Sequence, residues 1–160
     1  DLAGNDQFFL WHTWFSDVFN KGGFDIVIGN PPYVSSKILP AEYKNLLCKH
    51  YKFAEKQFDL YSLFIELSLK LLNKNGINSL IIPDSFIGRS NFAFARKTII
   101  NSTRILKWVH INNVFESADV SSLIYVTINQ IDKSYSFTYE KSENIKDWIK
   151  DKKIKQIILR

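Results

Sequence analysis

Two hydrophobic patterns alternate along this chain. Short apolar runs bounded by turn residues occur at Phe24–Gly29, 77–83 and 105–111, and such runs are typical of strands buried on both faces of a sheet. Between them, apolar positions three and four residues apart predict helices from Asp59, as N-cap, to just before Gly76 and over 91–102. The alternation predicts an α/β fold with a doubly wound sheet.

The remaining segments have weaker patterns. Residues 8–19 are dense in aromatics without a clean period, so we expect an irregular, packed entry segment. Residues 34–58 suggest a loop with a short helix near 40–48. Two further strands, 123–129 and 135–139, suggest a hairpin. A short helix and a strand at 154–159 are expected in the tail.

The first predicted strand stops at Asn30-Pro31-Pro32-Tyr33. Two prolines remove two backbone donors and favour an extended, rigid turn. The amide oxygen of Asn30 and the main-chain carbonyl of Pro31 can then each accept one hydrogen of a planar amino group such as adenine N6. The ring of Tyr33 can stack on the base that carries this group.

These residues resemble the adenine-N6 DNA methyltransferases of restriction-modification systems, in particular the fused restriction-and-modification (type IIG) enzymes. The resemblance covers roughly residues 8–130. It includes the strand and turn from Phe24 to Val34, the stretch Asp59-Leu60-Tyr61-Ser62-Leu63-Phe64-Ile65-Glu66, and Ile81-Ile82-Pro83. It implies the C-terminal part of a Rossmann-like methyltransferase sheet, strands 4 to 7 with flanking helices.

The resemblance also implies roles for individual residues. Asn30, Pro31 and Tyr33 match the catalytic loop, and Phe115 matches a phenylalanine that, with Tyr33, stacks on an adenine flipped out of double-stranded DNA. The implied cofactor is S-adenosylmethionine, with Asn30, Pro32 and Phe64 at its pocket.

One departure from the family concerns the cofactor pocket. The family's glycine-rich loop and ribose-binding acidic residue should precede residue 8 and are absent. We therefore expect residues 1–140 to be part of a catalytic subdomain, inactive alone, whose partner is the missing upstream half. Residues 141–160 would start the connection to a following domain. The edge of the Phe24–Gly29 strand would be exposed and apolar, which favours self-association.

Composition changes this picture little. The net charge of +5 suits an anionic partner or simply a solvated surface, and the lysines between Lys37 and Lys56 either follow phosphates or form a solvated face. The single cysteine, Cys48, excludes an internal disulfide framework and fits a reducing cytoplasm, which the resemblance implies to be bacterial or archaeal. We expect no membrane span and, because the histidines lack metal-ligand spacing, no metal site.

Two alternatives to a DNA methyltransferase stay open. Protein-glutamine and some RNA methyltransferases use the same four-residue loop to hold a planar amino group, although the helix after Asp59 and the Phe115 loop favour DNA adenine. The chain can also be an inactive DNA-contacting or assembly segment, which the absent cofactor loop supports.

Overall fold

The computed structural model describes residues 10–112, 114, 121–132, 136–151 and 157–159. Within these ranges the helices are α1 (Trp11–Trp14), α2 (Ser16–Asn20), α3 (Ala41–His50), α4 (Leu60–Leu71), α5 (Ser85–Gly88), α6 (Ala93–Ser102) and α7 (Ile145–Asp151). The strands are β1 (Phe24–Gly29), β2 (Leu72–Pro83), β3 (Arg104–Ile111), β4 (Ser122–Ile128), β5 (Phe137–Ser142) and β6 (Ile157–Leu159). Short 3₁₀ turns occur at Ser36–Ile38 and Ser90–Phe92.

The strands form one sheet in the order β1-β2-β4-β3-β5-β6. β1 and β2 are parallel, as are β3 and β5, whereas β4 runs antiparallel to both of its neighbours. Helices α4 and α6 lie in the connections between strands and pack on the sheet. The α/β alternation predicted from the sequence is confirmed.

The predicted hairpin between the fourth and fifth strands is wrong. β4 inserts between β2 and β3, and β5 pairs with the far side of β3. The physical reason is that β4 carries apolar residues on both faces, with Leu123 and Tyr125 buried. A central position with partners on both sides buries these residues, and a two-stranded hairpin does not.

Helix α4 ends earlier than its apolar spacing predicted. It stops at Leu71, and Leu72 already pairs with Phe24 of β1. Asn75 has a positive φ of 67° just before Gly76, and this left-handed turn interrupts the register before Ile77 pairs with Ile26. Gly76 is therefore inside strand β2 and does not cap the helix.

Strand β1 lies at the edge of the sheet. Among the described residues it pairs only with β2, and Ile26 and Ile28 are 62% and 78% exposed. The expectation of a strand buried on both faces is therefore wrong for this chain, whereas the expected exposed apolar edge is present. Self-association through this edge stays a prediction.

The aromatic entry segment is helical where it is described, so the expectation of an irregular segment is corrected. Helices α1 and α2 place Trp11, Phe15 and Phe19 around Phe24, with ring centroids 6.0, 5.2 and 5.6 Å from its ring. Because these rings pack against the first residue of β1, the aromatic positions do not follow one face of a single helix. This explains why the segment shows no helical period in the sequence.

The other predicted elements are present with shifted ends. The short helix expected near 40–48 is α3. In α6, Ala95 and Ile99 are buried, whereas Ile100 is 48% exposed. β5 extends to Ser142, so the sheet continues across the domain boundary that the sequence predicted after residue 140. No helix in the described ranges has the length and apolar character needed to cross a membrane.

Gly23, which precedes β1, provides a stability test. Its φ is +121°, and a Cβ placed there would lie 2.6 Å from the Leu71 carbonyl oxygen and 2.9 Å from the Asn73 nitrogen. We expect Gly23→Ala to lower the free energy of unfolding by about 1 to 3 kcal/mol, measured by urea denaturation with tryptophan fluorescence. Gly88→Ala, where a Cβ would meet no atom within 4 Å, is the control. Equal stability of the two variants would contradict the close approach.

Candidate functional site

The candidate site begins where β1 ends. After Gly29 comes the four-residue motif Asn30-Pro31-Pro32-Tyr33, which has no regular secondary structure. Pro31 is buried, while Asn30 and Pro32 are exposed. The motif therefore lies at the carboxyl end of a strand that is parallel to its neighbour, which is where open α/β sheets bind their ligands.

The chain after the motif is held by a short backbone ladder. The Leu60 nitrogen donates to the Val34 carbonyl at 2.8 Å, and the Ser36 nitrogen donates to the Phe58 carbonyl at 2.8 Å. The buried hydroxyl of Ser36 accepts from the Phe58 nitrogen at 3.1 Å. These bonds fasten the motif to the start of α4, so its conformation does not depend on the prolines alone.

Tyr33 is fixed in orientation by its hydroxyl. The phenol donates to the Ile81 carbonyl of β2 at 3.1 Å, and its ring meets Tyr61 edge-on at 6.2 Å between centroids. Burial raises the pKa of the Tyr33 phenol above its usual value, and a hydrogen bond with Ser122 partly opposes that rise. The phenol therefore stays protonated at neutral pH and keeps its donor role.

An apolar pocket of about 240 Å³ lies on one side of the motif. Asn30, Pro31 and Pro32 line it together with Phe64 of α4. The sequence had assigned Asn30, Pro32 and Phe64 to one cofactor pocket, and the structure does bring these three residues to one cavity. Phe64 is 44% exposed, so its ring is accessible to a ligand.

The apolar pocket fits one part of S-adenosylmethionine. Its volume lies below the roughly 300 to 1,000 Å³ typical of pockets that hold a whole drug-sized ligand. Within the described part of the chain, no acidic side chain lines it, so the ribose hydroxyls have no carboxylate partner here. An apolar wall with an accessible aromatic ring suits a purine, and the remaining walls are not supplied by these residues.

A larger and more polar pocket, of about 620 Å³, lies by Tyr33. We call it the tyrosine pocket. It is lined by aromatic, acidic and basic side chains, among them Tyr33, Lys37, Asp59, Tyr61, Asp84 and Arg89. The motif thus contributes Asn30 to Pro32 to one cavity and Tyr33 to the other.

Sequence reasoning left Asp84 and His110 unassigned, and the structure gives them a shared position. His110 Nε2 lies 3.2 Å from Asp84 Oδ2, although the angle is not that of a good hydrogen bond, and His110 Nδ1 lies 3.1 Å from the Tyr139 hydroxyl. These contacts join the carboxyl ends of β2 and β3 to the middle of β5. Asp84 directly follows Pro83, which is the one sequence signal for its place at a strand end.

Arg89 is a pocket residue that no sequence pattern indicated. It follows α5, and the Arg96 guanidinium holds the preceding turn by donating to the carbonyls of Phe86 and Arg89 at 2.7 and 2.8 Å. Phe115, which the sequence placed on the second face of the base, lies outside the described residues. Its role stays a prediction.

The chain matches known proteins along most of its length. The model of the family described as Eco57I restriction-modification methylase matches residues 1–115. The type II restriction enzyme and methyltransferase RM.Eco57I of Escherichia coli is 30% identical over an alignment of 132 residues, which covers 79% of this chain and 13% of that protein. The modification methylase CviBIII of Paramecium bursaria Chlorella virus NC1A is 31% identical over 153 residues, 94% of this chain and 34% of that protein.

Solved structures are similar in fold. The type IIL restriction-modification enzyme MmeI, solved in complex with DNA, aligns with a TM-score of 0.67 at 15% identity, over 94% of this chain and 20% of that one. At that identity the likeness concerns the fold alone. This chain spans a minor part of each of these three proteins.

The two neighbouring serines test the backbone ladder. Ser36→Ala leaves the buried Phe58 nitrogen without its side-chain acceptor, so we expect a loss of about 1 to 3 kcal/mol in unfolding free energy. Ser35→Ala removes only an exposed 3.4 Å contact to the Lys37 nitrogen, and we expect a loss below about 1 kcal/mol. Urea denaturation compares the two variants, and a larger loss at Ser35 would refute the assigned role of Ser36.

Proposed function

The chain belongs to the Eco57I restriction-modification methylase family, and on that premise we propose that it is the catalytic part of a site-specific DNA adenine-N6 methyltransferase. The acceptor is an adenine flipped out of double-stranded DNA, and the methyl donor is S-adenosylmethionine. The parent protein is a type II restriction-modification enzyme acting in the cytoplasm. The family assignment supports methyl transfer, and the geometry of the motif supports the choice of acceptor.

One observation carries the proposal, namely that the motif separates two unlike pockets. Asn30, Pro32 and Phe64 line the apolar pocket, and Tyr33 lines the tyrosine pocket. A transfer between two substrates needs a separate cavity for each and a junction at which the reacting atoms meet. We assign Asn30 and Pro31, which line the apolar pocket and precede Tyr33 by three and two residues, to that junction.

The acceptor amino group is held by two oxygens. The Asn30 side chain and the Pro31 main-chain carbonyl each accept one N6 hydrogen, which draws electron density toward a nitrogen whose lone pair is otherwise delocalised into the ring. The ring of Tyr33, fixed through its hydroxyl to Ile81, stacks on the base. Stacking returns about 1 to 3 kcal/mol of the energy lost when the base leaves the duplex.

The donor occupies the apolar pocket beside Phe64, and when bound it supplies an electrophilic methyl group on a sulfonium. This chain contributes one apolar wall, and the missing upstream half of the methyltransferase domain completes the pocket. Residue Phe115 is assigned to the second face of the adenine, opposite Tyr33.

Methyl transfer is direct and forms no covalent bond to the enzyme. The N6 nitrogen forms the new bond to carbon, the bond between sulfur and that carbon breaks, and the nitrogen releases one proton. Cys48 is on α3, and its thiol donates to the Ala54 carbonyl at 3.1 Å. It lines neither pocket, so it is not positioned as a nucleophile.

Replacement of Asn30 tests the acceptor site. We expect the full-length protein to form N6-methyladenine in unmethylated genomic DNA, measured by mass spectrometry of the digested nucleosides. We expect Asn30→Ala to lower kcat at least about 100-fold, because one of the two acceptors is lost, while Asn45→Ala, an exposed asparagine on α3, stays active. Methylation only of cytosine, RNA or protein glutamine, or methylation indifferent to Asn30, would overturn the proposal.

Phe64 and Phe94 form a matched pair for the cofactor site, since both are 44% exposed. We expect Phe64→Ala in the full-length protein to weaken S-adenosylmethionine binding about tenfold, which corresponds to roughly 1.4 kcal/mol. Phe94, which lines a different cavity with Phe53, serves as the control. Calorimetry measures both affinities, and equal losses would remove Phe64 from the cofactor site.

A further inference from the structure

Two cations line the tyrosine pocket from separate parts of the chain. Lys37 belongs to the 3₁₀ turn after the motif, and Arg89 follows α5. Both side chains are exposed. Of the lysines between residues 37 and 56, Lys37 is the one among this pocket's lining residues, so the structure distinguishes it from the others in that stretch.

The backbone that carries each cation is fixed. Ser36, next to Lys37, exchanges hydrogen bonds with Phe58, and Arg96 holds the carbonyl of Arg89. Asn91 Nδ2 also donates to the Gln57 carbonyl at 3.0 Å, which ties the segment after Arg89 to the loop that precedes α4. The backbone positions of both residues are therefore set before a ligand arrives, which lowers the entropic cost of binding.

Neither cation forms an ion pair within the described part of the chain, where Lys70 pairs with Glu66 and Lys107 with Glu140. The carboxylates of Asp59 and Asp84 line the same pocket. Asp84 lies 3.2 Å from His110 Nε2, and neither carboxylate is within ion-pair distance of Lys37 or Arg89.

The positive charge of Arg89 affects the pKa of Tyr61, a side chain that lines the pocket. Burial, and then the negative charge of Asp59, raise the pKa of the Tyr61 phenol, and the positive charge of Arg89 opposes this rise. A guanidinium that forms no ion pair, beside an aromatic cavity, is a good partner for phosphate, because its planar donors match two phosphate oxygens.

A nucleotide carries one phosphate on each side, so a base that enters this pocket brings two negative charges to its rim. We propose that Lys37 and Arg89 contact the two phosphates that flank the base held beside Tyr33. This assignment rests on the proposed function for the identity of the base. The contacts position the strand and carry no sequence information.

Salt dependence of DNA binding by the full-length protein tests this pair. Each phosphate contact adds about 0.9 to the slope of log affinity against log salt on duplex DNA. We expect Lys37→Gln and Arg89→Gln each to lower the slope by about one, and the double variant by about two, on duplexes that contain the methylation site. Lys97→Gln, an exposed cation on α6, leaves the slope unchanged.

A conservative variant and a second readout separate the outcomes. Arg89→Lys keeps the charge and should retain the slope, whereas Arg89→Gln loses it. We also expect the glutamine variants to raise KM for DNA while S-adenosylmethionine affinity stays at the wild-type value. Wild-type slopes in the glutamine variants, on duplexes that contain the methylation site, overturn the assignment of phosphate contacts. If the wild type makes no N6-methyladenine, the proposed function fails instead, whatever the slopes are.

Discussion

Two consecutive prolines end strand β1, and the position of both pockets depends on where that strand ends. Pro31 and Pro32 have no amide hydrogen to continue the ladder with β2, so the chain must leave the sheet after Gly29. The parallel pairing of β1 with β2 places this exit beside Ile81, which accepts the hydroxyl of Tyr33. A change in register would move the whole motif relative to that anchor.

Helix α4 also shapes the two pockets, because it contributes residues to both of them. Tyr61 lines the tyrosine pocket, and Phe64 lines the apolar pocket. A buried polar network holds the helix on the sheet. Asn78 Nδ2 of β2 donates to the Ser68 hydroxyl of α4 at 2.8 Å and to the Tyr125 hydroxyl of β4 at 2.9 Å. Buried bonds of this kind fix one arrangement of three elements, since any shift would leave polar groups unpaired.

The sequence predicted the parts of this fold that depend on local pattern. Strand β1, helix α3 and the turn at Asn30 follow from apolar runs, spacing and proline chemistry. The sequence did not predict the insertion of β4 between β2 and β3, because pairing between distant strands leaves no trace in local periodicity. The early end of α4 was missed for a similar reason, since Leu72 is in a strand only through its pairing with Phe24. Of the candidate site, the sequence indicated Asn30, Tyr33 and Phe64. Arg89 enters the tyrosine pocket through tertiary contacts alone, and for Asp84 the sequence shows only that it follows a strand end.

We propose that the motif brings a methyl donor and a flipped adenine together from two different pockets. A structure of the full-length protein with a non-reactive analogue of S-adenosylmethionine and duplex DNA containing its methylation site tests this arrangement. We expect the analogue beside Phe64 and an extruded adenine beside Tyr33, with N6 within hydrogen-bond distance of the Asn30 amide oxygen and the Pro31 carbonyl. An adenine still stacked in the duplex, or an analogue bound away from the apolar pocket, would contradict it.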